Sequence, residues 1–103
     1  MHLIQIFLPL RDNAGRPIAR AHFDELAREL GDRFGGLTSY ARAPATGLWK
    51  KSRNAPRQRD QIVIYEVMAR RLEAAWWKQL RRRLEKTFGQ QQVLIRSLVI
   101  RQL

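Results

Sequence analysis

An α+β domain built on one antiparallel sheet and two helices is what the sequence predicts, on three observations. Two segments set apolar side chains at the three-and-four spacing that lines one side of a helix, and each ends at glycine. Four others are dense in Ile, Val, Leu and Phe but too short for a stable helix, which makes them strands. Along the chain the order is strand, helix, strand, strand, helix, strand. Two right-handed strand–helix–strand units joined between the second and third strands give a ferredoxin-like βαββαβ fold: a four-stranded antiparallel sheet, its first and third strands central, with two helices on one face.

Each element has its own justification. The first strand covers His2 to Leu10, with Ile4, Ile6 and Leu8 on one face and Leu3, Gln5 and Phe7 on the other. Asp12-Asn13-Ala14-Gly15-Arg16-Pro17 carries the Asx, Gly and Pro chemistry of a turn. From about Ile18 to Phe34, the residues Phe23, Leu26, Ala27, Leu30 and Phe34 line one side of a helix, while Asp24, Glu25, Arg28, Glu29, Asp32 and Arg33 lie mostly off that stripe. Gly35-Gly36 supplies the left-handed residue that ends it, and Leu37 to Ala43 follows as the second strand.

The segment from Ala43 to Asp60 has two prolines, one glycine and a basic run without periodicity, which predicts a loop or a ragged hairpin. Gln61 to Met68 is continuous in β-branched and aromatic residues and belongs at the centre of the sheet. Arg70 to Phe88 forms the second helix. Its Leu72, Trp76, Trp77, Leu80, Leu84 and Phe88 fall within an arc of roughly 160°, with Lys78, Arg81, Arg82, Glu85 and Lys86 opposite and Gly89 as the stop. The last strand, Gln92 to Leu103, alternates Val93, Ile95, Ser97 and Val99 against Leu94, Arg96, Leu98 and Ile100.

The 103 residues make a single domain, 1–103, large enough to fold without covalent staples. A hydrophobic fraction of 45% separates the chain from disordered sequences despite a net charge of +11. With no cysteine there are no disulfides, thiolate metal sites or cysteine nucleophiles, which fits a reducing cytoplasm. The start lacks the basic and small-residue signals of a secretory leader, and no apolar run approaches the ~20 residues of a membrane span. The expectation is a cytoplasmic protein with no membrane partner.

A sheet covered by helices on one side only should alternate cleanly between apolar and polar residues. These strands do not: Val63, Tyr65 and Val67 oppose Ile62 and Ile64, and Val93, Ile95 and Val99 oppose Leu94, Leu98 and Ile100. An apolar patch of that size marks an interface, so a homodimer is expected through the open sheet face, with a charge at Tyr65 expected to dissociate it.

Two constellations could carry chemistry. Lys50, Lys51, Arg53, Arg57 and Arg59, joined by Arg81 and Arg82 of the second helix, are candidates for contacting nucleic acid or another anionic ligand; the alternative is a solubilising face. An RNA-recognition motif shares the element order. Phe7 matches the aromatic position of its first strand, but Asp60 to Val67 lacks the aromatic pattern of its third.

Tyr40, Arg42, Trp49 and Glu66 are the pocket candidates. Tyr40 and Arg42 share one side of the second strand, Glu66 interrupts the apolar third strand beside it, and Trp49 could roof the group. Buried without a partner, Glu66 would serve as an acid or base; paired with Arg42 or another cation, it is structural. His2 and His22 are the only imidazoles and lack metal-ligand spacing, so neither a metal nor a cofactor is implied. Of the adjacent Trp76 and Trp77, only one ring can point fully into a core.

Arg33-Phe34-Gly35-Gly36-Leu37-Thr38, Gly47-Leu48-Trp49, Ile62 to Met68 and Ala75-Trp76-Trp77 together resemble a group of small bacterial proteins of about this length. The helix end, the Gly-Gly-Leu-Thr step and the following Gly-x-Trp are also similar to a second bacterial domain family. Neither resemblance brings an activity or site residues; what it implies is a bacterial ferredoxin-like domain. Three functions remain open. A homodimeric binding or regulatory module leads, followed by a cofactor-independent enzyme with a small organic substrate in a pocket between sheet and helices, and then by nonspecific nucleic-acid binding through the basic surface.

Overall fold

A computed structural model describes residues 1–36, 38–42, 48–49, 58–59 and 62–103, with the backbone alone for 39–42, 48–49 and 58–59. In chain order its elements are β1 (His2–Pro9), α1 (Arg20–Phe34), β2 (Thr38–Arg42), β3 (Leu48–Trp49), β4 (Gln58–Arg59), β5 (Ile62–Ala69), α2 (Ala74–Thr87) and β6 (Leu94–Val99). This is the mixed α+β class that the sequence predicts, with two helices and an antiparallel sheet.

The body of the sheet is three strands. β1 pairs antiparallel with β5 from His2↔Ala69 to Pro9↔Ile62, and with β6 from His2↔Val99 to Phe7↔Leu94. A bond from the Ile100 N–H to the Met1 carbonyl, 3.0 Å, continues the β6 edge. Along the outer side of β5, β2 pairs antiparallel from Thr38↔Glu66 to Arg42↔Ile62, giving the order β2-β5-β1-β6. β3 and β4 form a separate two-residue ladder, Leu48↔Arg59 and Trp49↔Gln58. The other residues of the 43–60 segment lie outside the described residues.

Alternation assigns the two faces. On β1, Ile4, Ile6 and Leu8 are buried under the helices, and their partners on β5 include Tyr65 and Val67. Leu26 and Leu30 of α1 meet them together with Trp77, Leu80 and Leu84 of α2 and Phe88 just beyond it. Phe23, Ala27, Phe34 and Trp76 pack around this cluster while keeping some exposure. Full burial of each large aliphatic or aromatic side chain contributes about 1.5–3 kcal/mol, so this one layer holds the fold.

Local chemistry fixes the helix ends. Gly35 adopts φ 74°, and its N–H donates to the Gly31 carbonyl at 2.9 Å, so α1 stops where its apolar stripe stops. Past α2, Gly89 sits at φ 60° against the β1–α1 turn: a side chain there would place its Cβ 2.8 Å from the Asp12 Cβ. The Gly89 carbonyl also accepts the Asn13 N–H at 3.0 Å, tying the end of α2 to that turn. Asp12 organises the turn by accepting the N–H groups of Ala14 and Arg16, both at 2.9 Å. The bond from the Arg16 N–H leads in holding the Asp12 carboxyl below the ordinary carboxylate range.

Two expectations about boundaries and faces need correction. The second helix starts at Ala74, not Arg70, because β5 runs on through Ala69 and the next four residues make the turn; Leu72 therefore sits before the helix, exposed, outside its apolar stripe. Tyr65 does not face the open side. It is buried in the helix-covered layer, and its hydroxyl donates to the Phe23 carbonyl at 3.3 Å, so a charge there would disrupt the core instead of reporting on a dimer.

Candidate functional site

Of the four pocket candidates, the register places three on one side of the sheet. Thr38 pairs with Glu66, and Tyr40 and Arg42 follow Thr38 at alternate positions of β2, so all share the open face by backbone placement. The side chains of Tyr40, Arg42 and Trp49 lie outside the described residues. Glu66 lies between Tyr65 and Val67, which are buried under the helices, so its carboxylate is on the opposite side from the helix–sheet layer. It is half-buried and has a partner: the Gln5 amide donates to it across the β1–β5 pair. The requirement for an isolated acid or base, burial without a partner, is not met.

That pairing belongs to a longer polar stripe. Arg96 on β6 donates its Nε–H to the Gln5 Oε1 at 2.7 Å, while the Gln5 Nε2 donates to Glu66, so one amide bridges a cation and an anion over three strands. The Arg96 guanidinium also lies 4.9 Å from the centre of the Phe7 ring. Apolar rows flank the stripe on both sides. One runs Leu98, Leu3, Met68; the other runs Leu94, Phe7, Ile64. Met68 and Leu94 are each 51% exposed and Leu98 44%, which is unusual for so many large apolar side chains on one face.

A second feature opens at the end of the helix–sheet layer. It is a cleft of about 610 Å³ between the C-terminal end of α1 and the β5–α2 turn. Phe34, Met68, Ala69 and Trp77 give it an apolar lining; Arg33, Arg70, Arg71 and Glu73 bring its charges. The aromatic wall is well ordered by its own contacts. Phe34 stacks on Trp77 with centroids 5.3 Å apart and 16° between planes, and Trp76 meets Trp77 edge-on at 4.8 Å. Trp77 is the ring of the pair that enters the core, with Trp76 at its margin. Arg33 lies 4.2 Å from the Trp76 ring centre and forms an ion pair with Glu73.

Among the basic candidates, Arg81 and Arg82 are the ones whose side chains are described. Lys50, Lys51, Arg53 and Arg57 lie outside the described residues, and Arg59 is described by its backbone in β4. On α2, Arg82 is exposed, whereas Arg81 is half-buried in a groove shared with β6. Arg83 is engaged by both carboxylate oxygens of Glu29, at 2.6 Å each, across the two helices. His22 contacts Phe88, and His2 opens β1, so the two imidazoles are far apart in their roles. Among the described residues no helix is long and apolar enough to cross a membrane.

Gln5 and Arg96 were not among the sequence candidates. A signal for them exists in hindsight: each is the lone polar residue in the open-face alternation of its strand, as Glu66 is in β5. Arg70 and Arg71 belong by sequence to the basic face of the second helix, and the structure sets them on the β5–α2 turn instead. Set against known proteins, the sequence matches no family model and no curated protein, and the fold matches no solved structure.

Proposed function

We propose that this chain is a bacterial ferredoxin-like domain acting as a homodimeric binding module, two copies packed through their open sheet faces. The element order and the antiparallel pairing support the fold, with β2 completing a four-stranded sheet. The observation that carries the dimer is the pattern on the open face, which complements itself. A two-fold axis parallel to the strands and passing by Gln5 sets β5 of one copy over β6 of the other. Glu66 then meets the partner copy's cation at Arg96, Leu98 meets Met68, and Phe7 and Leu3 each meet their own symmetry mates. No like charges are opposed, and the exposed Leu98 and Met68 cover each other, Ile64 being already buried within one copy.

Sedimentation at tens of micromolar tests this. The protein should run at twice the chain mass. Leu98→Lys should reduce it to a monomer that keeps its fold, and Glu66→Arg or Arg96→Glu alone should weaken the dimer. The double variant should recover it, because the exchanged charges still face each other. A wild-type monomer at that concentration, or a dimer indifferent to Leu98→Lys, would sink the proposal.

A further inference from the structure

Arg33 in the cleft at the end of the helix–sheet layer is already engaged by Glu73 and stacked on Trp76. Arg70 and Arg71 are different. Both are exposed, both line the same cleft, and among the described residues neither has a carboxylate within ion-pair distance. Counting Arg33 and Glu73 as compensating each other leaves the cleft with two positive charges. The turn that carries them leads into α2, whose first turn contains no acidic side chain and whose Glu73 makes no capping bond, so the helix dipole adds to the same sign.

Two uncompensated guanidinium groups lining one concave, partly apolar surface favour an anion there. Guanidinium forks suit planar or tetrahedral oxyanions, which they hold by paired charge-assisted bonds. Beneath them, Phe34, Met68 and Trp77 offer an apolar wall. The volume of about 610 Å³ is that of a site for a small organic molecule.

We propose that this cleft binds a small organic anion, its aromatic or aliphatic body against Phe34 and Trp77 and its oxyanion held by Arg70 and Arg71. The ligand class follows from the two halves together: an inorganic anion would leave the aromatic wall bare, and a neutral hydrocarbon would leave the arginines uncompensated. The site touches the open sheet face at Met68 alone; Phe34, Trp77, Arg70 and Arg71 are not part of that face.

Fluorescence titration with anilinonaphthalene sulfonate tests the proposal, because the dye combines an aromatic body with an oxyanion. Saturable binding is expected, weakened by added salt and displaced by naphthoate. Arg70→Gln with Arg71→Gln should weaken it about tenfold or more, the loss of charge-assisted hydrogen bonds. Both residues are exposed on a turn, so the melting temperature of the double variant should stay close to that of the parent, and each single variant should show part of the loss. Arg96→Gln, on the open face, should bind as the wild type does. The proposal is overturned by any of three results: no saturable binding, a double variant that binds like the wild type, or inorganic phosphate displacing the dye as tightly as naphthoate does.

Discussion

The two faces of the sheet are built from nearly the same residue types and have opposite fates. On the covered face, Ile4, Ile6, Leu8, Tyr65 and Val67 are buried against α1 and α2. On the other, Leu3, Phe7, Met68, Leu94 and Leu98 surround a polar stripe and remain partly or largely exposed among the described residues. Hydrophobicity alone does not distinguish them. What does is the presence of one polar residue on the open side of each of β1, β5 and β6, namely Gln5, Glu66 and Arg96, aligned by register so that Gln5 bonds to both of the others. A face designed only to meet water would carry more polar residues, and a face designed only for the core would carry none. The proposed dimer rests on that mixture, an apolar majority with a polar contact that would fix orientation.

The largest expected effect separates the faces directly. Leu30 has no measurable exposure and reaches the covered face from α1, so Leu30→Ala should cost about 3–4 kcal/mol in urea unfolding, the transfer term plus the cavity left behind. Leu98→Ala, measured at protein concentrations low enough to keep the chain monomeric, should cost less than about 1 kcal/mol. Equal losses would erase the distinction.

A smaller effect lies in the stripe. Gln5→Ala removes the amide that satisfies both Glu66 and Arg96, and should destabilise the chain by about 1 kcal/mol. It should also shift dimer dissociation more than it shifts unfolding of the monomer. An unchanged dissociation constant would show that the stripe plays no part in association.

The smallest effect is at Tyr65, whose phenol is pushed above its ordinary value, first by burial and then by the charge of Asp24. A raised folded value favours the neutral phenol in the native state. Its contribution is therefore fully present below the unfolded pKa of about 10 and is lost as pH rises through the folded value. Stability should decline in that alkaline window, and Tyr65→Phe should flatten the decline while costing under about 1 kcal/mol near neutrality, since the bond it removes is 3.3 Å long. A decline that persists unchanged in Tyr65→Phe would assign it to other groups.

Much of the fold was legible because its signals are local. The stripe from Phe23 to Phe34 and the left-handed Gly35 mark α1 within a residue or two, and Gln61 to Met68 marks β5 nearly as closely. The start of α2 was not legible, since Arg70 to Glu73 are acceptable helix residues and only the continued pairing of β5 to Ala69 excludes them. The candidate sites were legible in part. Glu66 stands out as a lone carboxylate in an apolar strand, but its partner is 61 residues away in sequence, and no local pattern selects Gln5 over Arg42. Arg70 and Arg71 become a pair lining a cleft only once the end of α1 is brought beside them.

By itself the sequence determined the element types, their order and the helix end at Gly35, because backbone preference and side-chain periodicity act over a few residues. Which side of β5 the helices would cover was not determined, since Ile62 and Ile64 are as apolar as Val63 and Val67. Tertiary structure decided it through strand register, which commits alternate side chains of neighbouring strands to one face together. That commitment buried Tyr65, set Gln5 between Glu66 and Arg96, and left Met68, Leu94 and Leu98 exposed on the opposite face.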